Sequence, residues 1–285
     1  MDYTLNINGR LLSLRKPVVM GILNATPDSF FEGSRQRTEA DIACRASEIV
    51  AEGGAVIDVG AYSTRPGATP VSLNEEMERM RFALSAVRRE QPDAVLSVDT
   101  FRPEVARMAV EEHGAGIIND VSGGNPGGSF GGELPMTESG NGEMPAMFRE
   151  VARLKVAYVL MSSDATLRDM LLFFSEKVQQ LRSVGQKDII IDPGFGFGKT
   201  VEQNFALMNH LEKLHVMGLP LLVGVSRKSM IWKTLGGSPD DALNGTTMLN
   251  TLAVAKGARI LRVHDVKAAV EVVALSEALA ANGEE

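Results

Sequence analysis

Val18-Val19-Met20-Gly21-Ile22-Leu23, followed at once by Asn24-Ala25-Thr26-Pro27-Asp28-Ser29-Phe30, sets the reading of the chain. A short run that is apolar at every position has the length and composition of a strand covered on both faces, as in parallel sheets. The polar segment begins where the run ends, and Ala40 to Ala51 then carries apolar residues at helical spacing. This unit recurs. Further strands are expected at Val56–Val59, Ala94–Val98, Gly116–Ile118, Val156–Leu160, Asp188–Ile191, Leu221–Gly224 and Arg259–Val263, which makes eight with the first. Helical patterns lie between them at Asn74–Arg89, Pro103–Glu112, Phe148–Arg153, Thr166–Ser183, Val201–Leu214, Pro239–Ala255 and Val266–Ala281. Alternating short apolar strands and helices predict an α/β fold, a (β/α)8 TIM barrel with right-handed crossovers, occupying 1–285 as a single domain. Tyr3 to Leu14 reads as an N-terminal β-hairpin turned at Asn8-Gly9, capping the closed bottom of the barrel. One interval, Gly123 to Pro145, breaks the rhythm: rich in Gly, Ser, Pro and Glu, it reads as a rim loop or a mobile excursion.

Composition narrows the class of partner. With 285 residues, 44% of them hydrophobic, the chain can bury a sizeable core. A net charge of -7 argues against nucleic acid and against anionic membranes, which draw on a surplus of Lys and Arg. No stretch approaches the roughly 18 apolar residues of a membrane span, and no basic-then-apolar leader opens the sequence. Cys44 is alone, so no internal disulfide forms; its apolar neighbours predict a buried thiol, and a reducing, cytoplasmic setting fits.

Parallel barrel strands deliver their carboxyl ends to one face, so polar residues far apart in sequence converge there. Asp58, Asp99, Asp120 and Asp192 lie within or just after apolar runs, where a carboxylate is costly unless paired with donors or exposed in a cleft. Asp99, Asn119 and Asp192 are the candidates for holding a heterocycle with an N–C–N edge, whereas Asp58 and Asp120 read equally well as structural caps. Gly194 to Thr200 mimics a phosphate loop, but Pro193 stands where its leading glycine belongs. The glycines instead suit close approach to a flat ligand, with Phe195 or Phe197 as a wall and Lys199 facing solvent. Arg65, Arg262 and His264 form the expected anion end. Arg262 and His264 alternate on one extended segment, and Asn24 lies on the neighbouring strand once the barrel closes. In Ser226-Arg227-Lys228-Ser229, Lys228 is read as a compact donor at the middle of the rim, Ser226 as a contact for a second substrate, and Arg227 as an ion-pair partner. His113, His210 and His215 lack zinc-site spacing. Magnesium is compatible, because it binds largely through substrate phosphates, with a protein oxygen such as that of Asn24 completing the shell.

Together, Gly21 to Phe30, Ser63-Thr64-Arg65-Pro66-Gly67-Ala68, Asp192 to Lys199, Ser226 to Ser229 and Arg262-Val263-His264-Asp265 resemble the dihydropteroate synthases of the pterin-binding barrel family, from about Pro17 to Ala281. The resemblance implies a folate-biosynthetic transferase that joins 4-aminobenzoate to 6-hydroxymethyl-7,8-dihydropterin diphosphate, with Mg2+, releasing diphosphate. It implies that Asp99, Asn119, Asp192 and Lys228 hold the pterin, and that Asn24, Thr64, Arg65, Arg262 and His264 serve diphosphate and magnesium. It further implies that Pro66, Phe197, Ser226 and Lys228 lie near the aminobenzoate, which sulfonamides mimic in the family, and Met161 is expected as a pocket wall. Homodimers are common in the family. Three departures stand out: Ala61-Tyr62 replaces the usual Gly-Glu, Ser162-Ser163-Asp164-Ala165 replaces a His-containing segment, and Gly123 to Pro145 is long. Two other readings share the fold, a methyltetrahydrofolate:corrinoid methyltransferase and a noncatalytic pterin-binding protein.

Overall fold

In a computed structural model the described residues are 2–25, 35–62, 71–124 and 144–282. The chain opens with the expected hairpin, β1 (Thr4–Ile7) against β2 (Arg10–Ser13). Asn8 and Gly9 turn it at φ values of 52° and 83°, the two positive angles that a tight two-residue hairpin turn requires. Eight parallel strands follow: β3 (Val18–Asn24), β4 (Val56–Gly60), β5 (Val95–Asp99), β6 (Ile117–Asp120), β7 (Ala157–Met161), β8 (Ile189–Asp192), β9 (Leu222–Val223) and β10 (Ile260–Val263). Their spatial order is β8-β7-β6-β5-β4-β3-β10-β9. The ring closes where Ile191 bridges Leu221 in parallel and its N–H donates to Pro220 O at 3.0 Å. All the expected strands are present, and β3 lies beside β10, which brings Asn24 and Arg262 onto neighbouring strands.

The helices are α1 (Arg35–Ala51), α2 (Leu73–Glu90), α3 (Pro103–His113), α4 (Ala146–Leu154), α5 (Leu167–Ser183), α6 (Val201–Asn209), α7 (Ser229–Leu235), α8 (Leu243–Ala255) and α9 (Val266–Ala281). The pattern at Val201–Leu214 splits into α6 and a 3-10 segment, Leu211–Met217, and that at Pro239–Ala255 begins with a 3-10 turn, Pro239–Ala242. α7 was not expected, since seven residues are too few to display a 3.6-residue period.

Strand alternation divides the core. Met20, Val56, Ile117, Val159, Ile190, Leu222 and Ile260 point into the lower barrel and meet Leu5, Ile7 and Leu14 of the hairpin. Each of those hairpin side chains is at most 5% exposed, a burial worth about 1.5–3 kcal/mol apiece. The opposite parity, including Ile57, Val59, Leu96, Val98, Ile118 and Val263, packs outward against the helices.

Cys44 departs from expectation by being exposed. Ile42, Ala46 and Ile49 form the buried face of α1, and a residue two places from Ile42 is turned about 200° from it. Val50, one of the neighbours that suggested burial, is itself 39% exposed. Among the described residues no helix is long and apolar enough to cross a membrane. Most of Gly123 to Pro145 lies outside the described residues.

Candidate active site

On the inward parity, apolar side chains give way to polar ones toward the carboxyl ends. Val56 is followed by Asp58 on β4, Val95 by Ser97 and Asp99 on β5, Ile117 by Asn119 on β6, Ile190 by Asp192 on β8, and Ile260 by Arg262 on β10. Register aligns Asp58 with Ser97, Asp99 with Asn119, and Met161 with Asp192. Residues drawn from the whole length of the chain therefore meet above the apolar plug.

Their hydrogen bonds are specific. Asp58 is fully buried: Oδ1 accepts from Ser97 Oγ at 2.6 Å, while Oδ2 accepts from Arg262 Nε at 2.6 Å and Asn119 Nδ2 at 3.2 Å. Arg262 Nη2 donates to Asp99 Oδ2 at 2.7 Å, so the guanidinium bridges two carboxylates. Asn119, 1% exposed, keeps a buried Oδ1 that no described residue satisfies. Across the barrel Asp192 Oδ1 accepts from Gly194 N at 2.8 Å. Lys228 donates to Phe195 O and holds its ammonium 4.5 Å above the Phe197 ring centroid.

Burial pushes the Asp99 carboxyl up to about 7; Arg262 opposes the shift, while Asp58 adds to it. Asp192 is raised by burial against the pull of Lys228. Burial lowers Lys228 to about 8, with Asp192 opposing. Burial also works against the Arg262 charge, yet Asp58 and Asp99 outweigh it and hold the guanidinium above its ordinary range. The cluster is a compact array of opposed charges in which removing any member changes the others.

Beside it, His264 Nδ1 and Ser226 Oγ lie 3.0 Å apart, and the same hydroxyl accepts from His264 N at 3.1 Å. Arg45 of α1 donates to His264 O, fixing the segment after β10 to the helix after β3. Arg227 grips Asp265 through two nitrogens at 2.9 and 2.8 Å, the ion pair anticipated for it. Met161 is 2% exposed on the inward face beside Asp192. Asn24 ends β3, exposed, opposite Gly60.

The structure thus brings together Asp99, Asn119, Asp192, Phe197, Lys228 and Arg262, with Met161, Ser226, His264 and Asn24 around them. Thr64, Arg65 and Pro66 lie outside the described residues. Arg262, expected at the anion end, commits two of its three nitrogens to the ring end, leaving Nη1 with no hydrogen bond to a described residue. Phe195 is fully buried in the outer core, so Phe197 is the aromatic wall. Lys199 does not face solvent: Nζ turns inward to the carbonyls of Gly194, Phe197 and Ser162 at 3.1, 3.2 and 3.4 Å, and burial lowers it to about 8. Three carbonyl acceptors replace the lost water.

Asp120 faces the helices, where it accepts from Tyr158 Oη at 2.7 Å, Ser122 N at 2.7 Å and Gly124 N at 3.0 Å. The structural role expected as an alternative for both carboxylates holds for Asp120, which satisfies loop N–H groups, and not for Asp58, whose donors are all side chains. Asp58 shares parity with Val56 and lies two positions before the strand end, the signal that would have singled it out.

A family model described as pterin binding enzyme matches residues 20–264. The dihydropteroate synthase of Escherichia coli K12 is 37% identical over 279 residues, covering 95% of this chain and 94% of the relative. The chain belongs to the dihydropteroate synthase family of pterin-binding enzymes. Among solved structures of this family, the Xanthomonas albilineans dihydropteroate synthase with 4-aminobenzoic acid superposes with a TM-score of 0.85 at 36% identity, covering 99% of both chains. The same organism's synthase in complex with 7,8-dihydropteroate gives 0.82 at 34% identity, covering 98% of this chain and 99% of that one. Family membership agrees with a barrel whose polar residues collect at one mouth.

Proposed function

We propose that the chain joins 4-aminobenzoate to the methylene carbon of 6-hydroxymethyl-7,8-dihydropterin diphosphate, giving 7,8-dihydropteroate and diphosphate. The observation that carries this reading is the converging set of acceptors, Asp99, Asn119 Oδ1 and Asp192, beside the two cations Lys228 and Arg262. A buried, unpartnered amide oxygen costs free energy until an N–H reaches it. The aminopyrimidinone edge of a pterin brings several N–H groups, and its carbonyl offers Lys228 an acceptor.

In the reaction the methylene C–O bond breaks and its electron pair leaves with diphosphate. The aniline nitrogen then forms the C–N bond and releases a proton. Positive charge spreading into the pterin is met by Asp99 and Asp192. Negative charge growing on diphosphate is met by Arg262 Nη1 and His264, with Thr64 and Arg65 the further candidates from the family motif. The amine needs placement more than activation, since the developing cation is a strong electrophile. Ser226 with its His264 partner, Phe197 and Lys228 stand by that second substrate, with Pro66 a further candidate from the family motif, while Met161 walls the pocket beside Asp192.

Magnesium fits as a phosphate-borne ion. Among the described residues no group of three or more His, Cys, Asp or Glu is placed to cage a metal. The oxygen at hand is the Asn24 amide at the end of β3. When bound, the ion would supply charge neutralisation on the leaving diphosphate. A homodimer is part of the proposal, supported by apolar residues exposed on adjoining helices: Leu243, Met248 and Leu252 of α8, and Leu275 and Leu279 of α9. A cytoplasmic setting suits both a reduced pterin and the free thiol of Cys44.

The deciding experiment incubates purified protein with the dihydropterin diphosphate, 4-aminobenzoate and magnesium, then measures dihydropteroate by mass spectrometry and diphosphate by phosphate analysis. Stoichiometric appearance of both is expected. Folded protein that binds pterin and yields neither refutes the synthase and leaves a binding protein; methyl transfer to a corrinoid would identify the remaining alternative.

A further inference from the structure

Asp58 is fully buried beneath the proposed pterin site, and its three donors come from three different strands: Ser97, Asn119 and Arg262. Its carboxylate is closed off from solvent, yet two of those donors belong to Asn119 and Arg262, the side chains assigned above to the substrate. A carboxylate can only accept, so it forces the amide of Asn119 to turn Nδ2 toward it. The flipped amide would set its oxygen against a carboxylate oxygen, lone pair to lone pair. Asn119 Oδ1 is thereby committed to the other side, where it is buried with no partner among the described residues. The same carboxylate takes Arg262 Nε, and with Nε fixed, Nη2 falls on Asp99 Oδ2.

We infer that Asp58 is a positioning residue that decides what the site offers its ligand: Asn119 as an acceptor rather than a donor, and Arg262 locked onto Asp99 with Nη1 turned outward. Ser97 serves as its anchor. This rests on the pterin reading above and adds a specificity element to it. The pattern that results favours a heterocycle edge carrying N–H at the Asn119 position over one presenting a bare ring nitrogen there.

Asp58→Asn tests it, because the new amide nearly matches the carboxylate in shape but can donate, which frees Asn119 to flip and loosens Arg262. Calorimetry with 6-hydroxymethylpterin should show affinity reduced at least about tenfold, the scale of one charge-assisted hydrogen bond. At saturating pterin substrate, the KM for 4-aminobenzoate should stay within about twofold of wild type. A pterin lacking the 2-amino group should lose less affinity than the parent. Asp58→Asn/Asn119→Asp, which exchanges the two roles so that 58 donates and 119 again offers only acceptors to the ligand, should recover part of the loss. Folded Asp58→Asn with wild-type pterin affinity, or with equal losses for both substrates, overturns the inference. Should Asp58→Asn fail to fold, Ser97→Ala decides: a loss confined to pterin is expected, and unchanged pterin affinity overturns the role. Wild-type protein that binds no pterin would refute the underlying function instead, so the two failures are distinguishable.

Discussion

Gly196→Ala separates backbone strain from displacement of the site lysine. Gly196 has φ of 77°, and a Cβ placed there would lie 2.8 Å from Lys228 Cδ. The left-handed angle costs an L-residue about 1–2 kcal/mol. Ordinary carbon contacts begin near 3.5 Å, so the lysine stem must also retreat by about 0.7 Å. That withdraws the ammonium from Asp192 and from the Phe197 ring, and misplacement on this scale costs about a hundredfold in rate. Gly218 provides the control, with φ of 63° and nothing within 4 Å of its would-be Cβ. Both alanine variants should lower stability by about 1–2 kcal/mol, a Tm decrease of about 2–6 °C. Only Gly196→Ala should lose turnover. Thermal unfolding followed by circular dichroism, together with steady-state dihydropteroate formation, measures both effects. Wild-type turnover in folded Gly196→Ala, or matching activity losses in the two variants, would refute the placement of Lys228.

Pterin affinity should peak between about pH 7 and 8. Below that window Asp99, raised to about 7, takes up a proton and loses an acceptor; above it Lys228, lowered to about 8, loses its charge. Asp99 senses Arg262 and the carboxylates of Asp58, Asp120 and Glu76, while Lys228 senses Asp192, Arg262, Lys199 and Asp99. Calorimetric titration against pH should therefore show two limbs, and Lys228→Met should abolish the alkaline one; a flat profile contradicts the assignment. Arg102 pairs with the fully buried Glu76 at 2.7 Å, donates to Val71 O at 2.8 Å and lies over the Tyr62 ring at 5.5 Å. Arg102→Ala should cost about 3–5 kcal/mol by stranding that carboxylate, and urea denaturation showing less than about 1 kcal/mol would exclude it as a structural tie. Tyr158→Phe removes the phenol that Asp120 accepts from at 2.7 Å. It should cost about 1–3 kcal/mol of stability with kcat and KM unchanged; altered KM for pterin would move Asp120 into the site.

The eight strands and the hairpin were legible because each is a short apolar run bounded by turn chemistry, and Asn8-Gly9 admits few alternatives. The convergence of Asp99, Asn119, Asp192 and Lys228 was legible through strand polarity alone. Which of two adjacent polar residues faces inward was not. Asn119 and Asp120 end a strand that is apolar on both faces, so hydrophobicity carries no parity signal, and only the ladder assigns one to the ligand side and the other to Tyr158. Arg262 shows a second limit. Its type announced an anion contact, but its partners at 58 and 99 come from strands 204 and 163 residues away, a pairing that depends on ring closure. Lys199 and Cys44 failed for a simpler reason, since local composition does not reveal where a long side chain bends or which helical face meets the core.

The hairpin carries one more implication. With Leu5, Ile7 and Leu14 sealing the amino-terminal end, the barrel is a cup rather than a conduit. Reactants and both leaving molecules must therefore share a single doorway, and whichever product lingers there obstructs the next arrival.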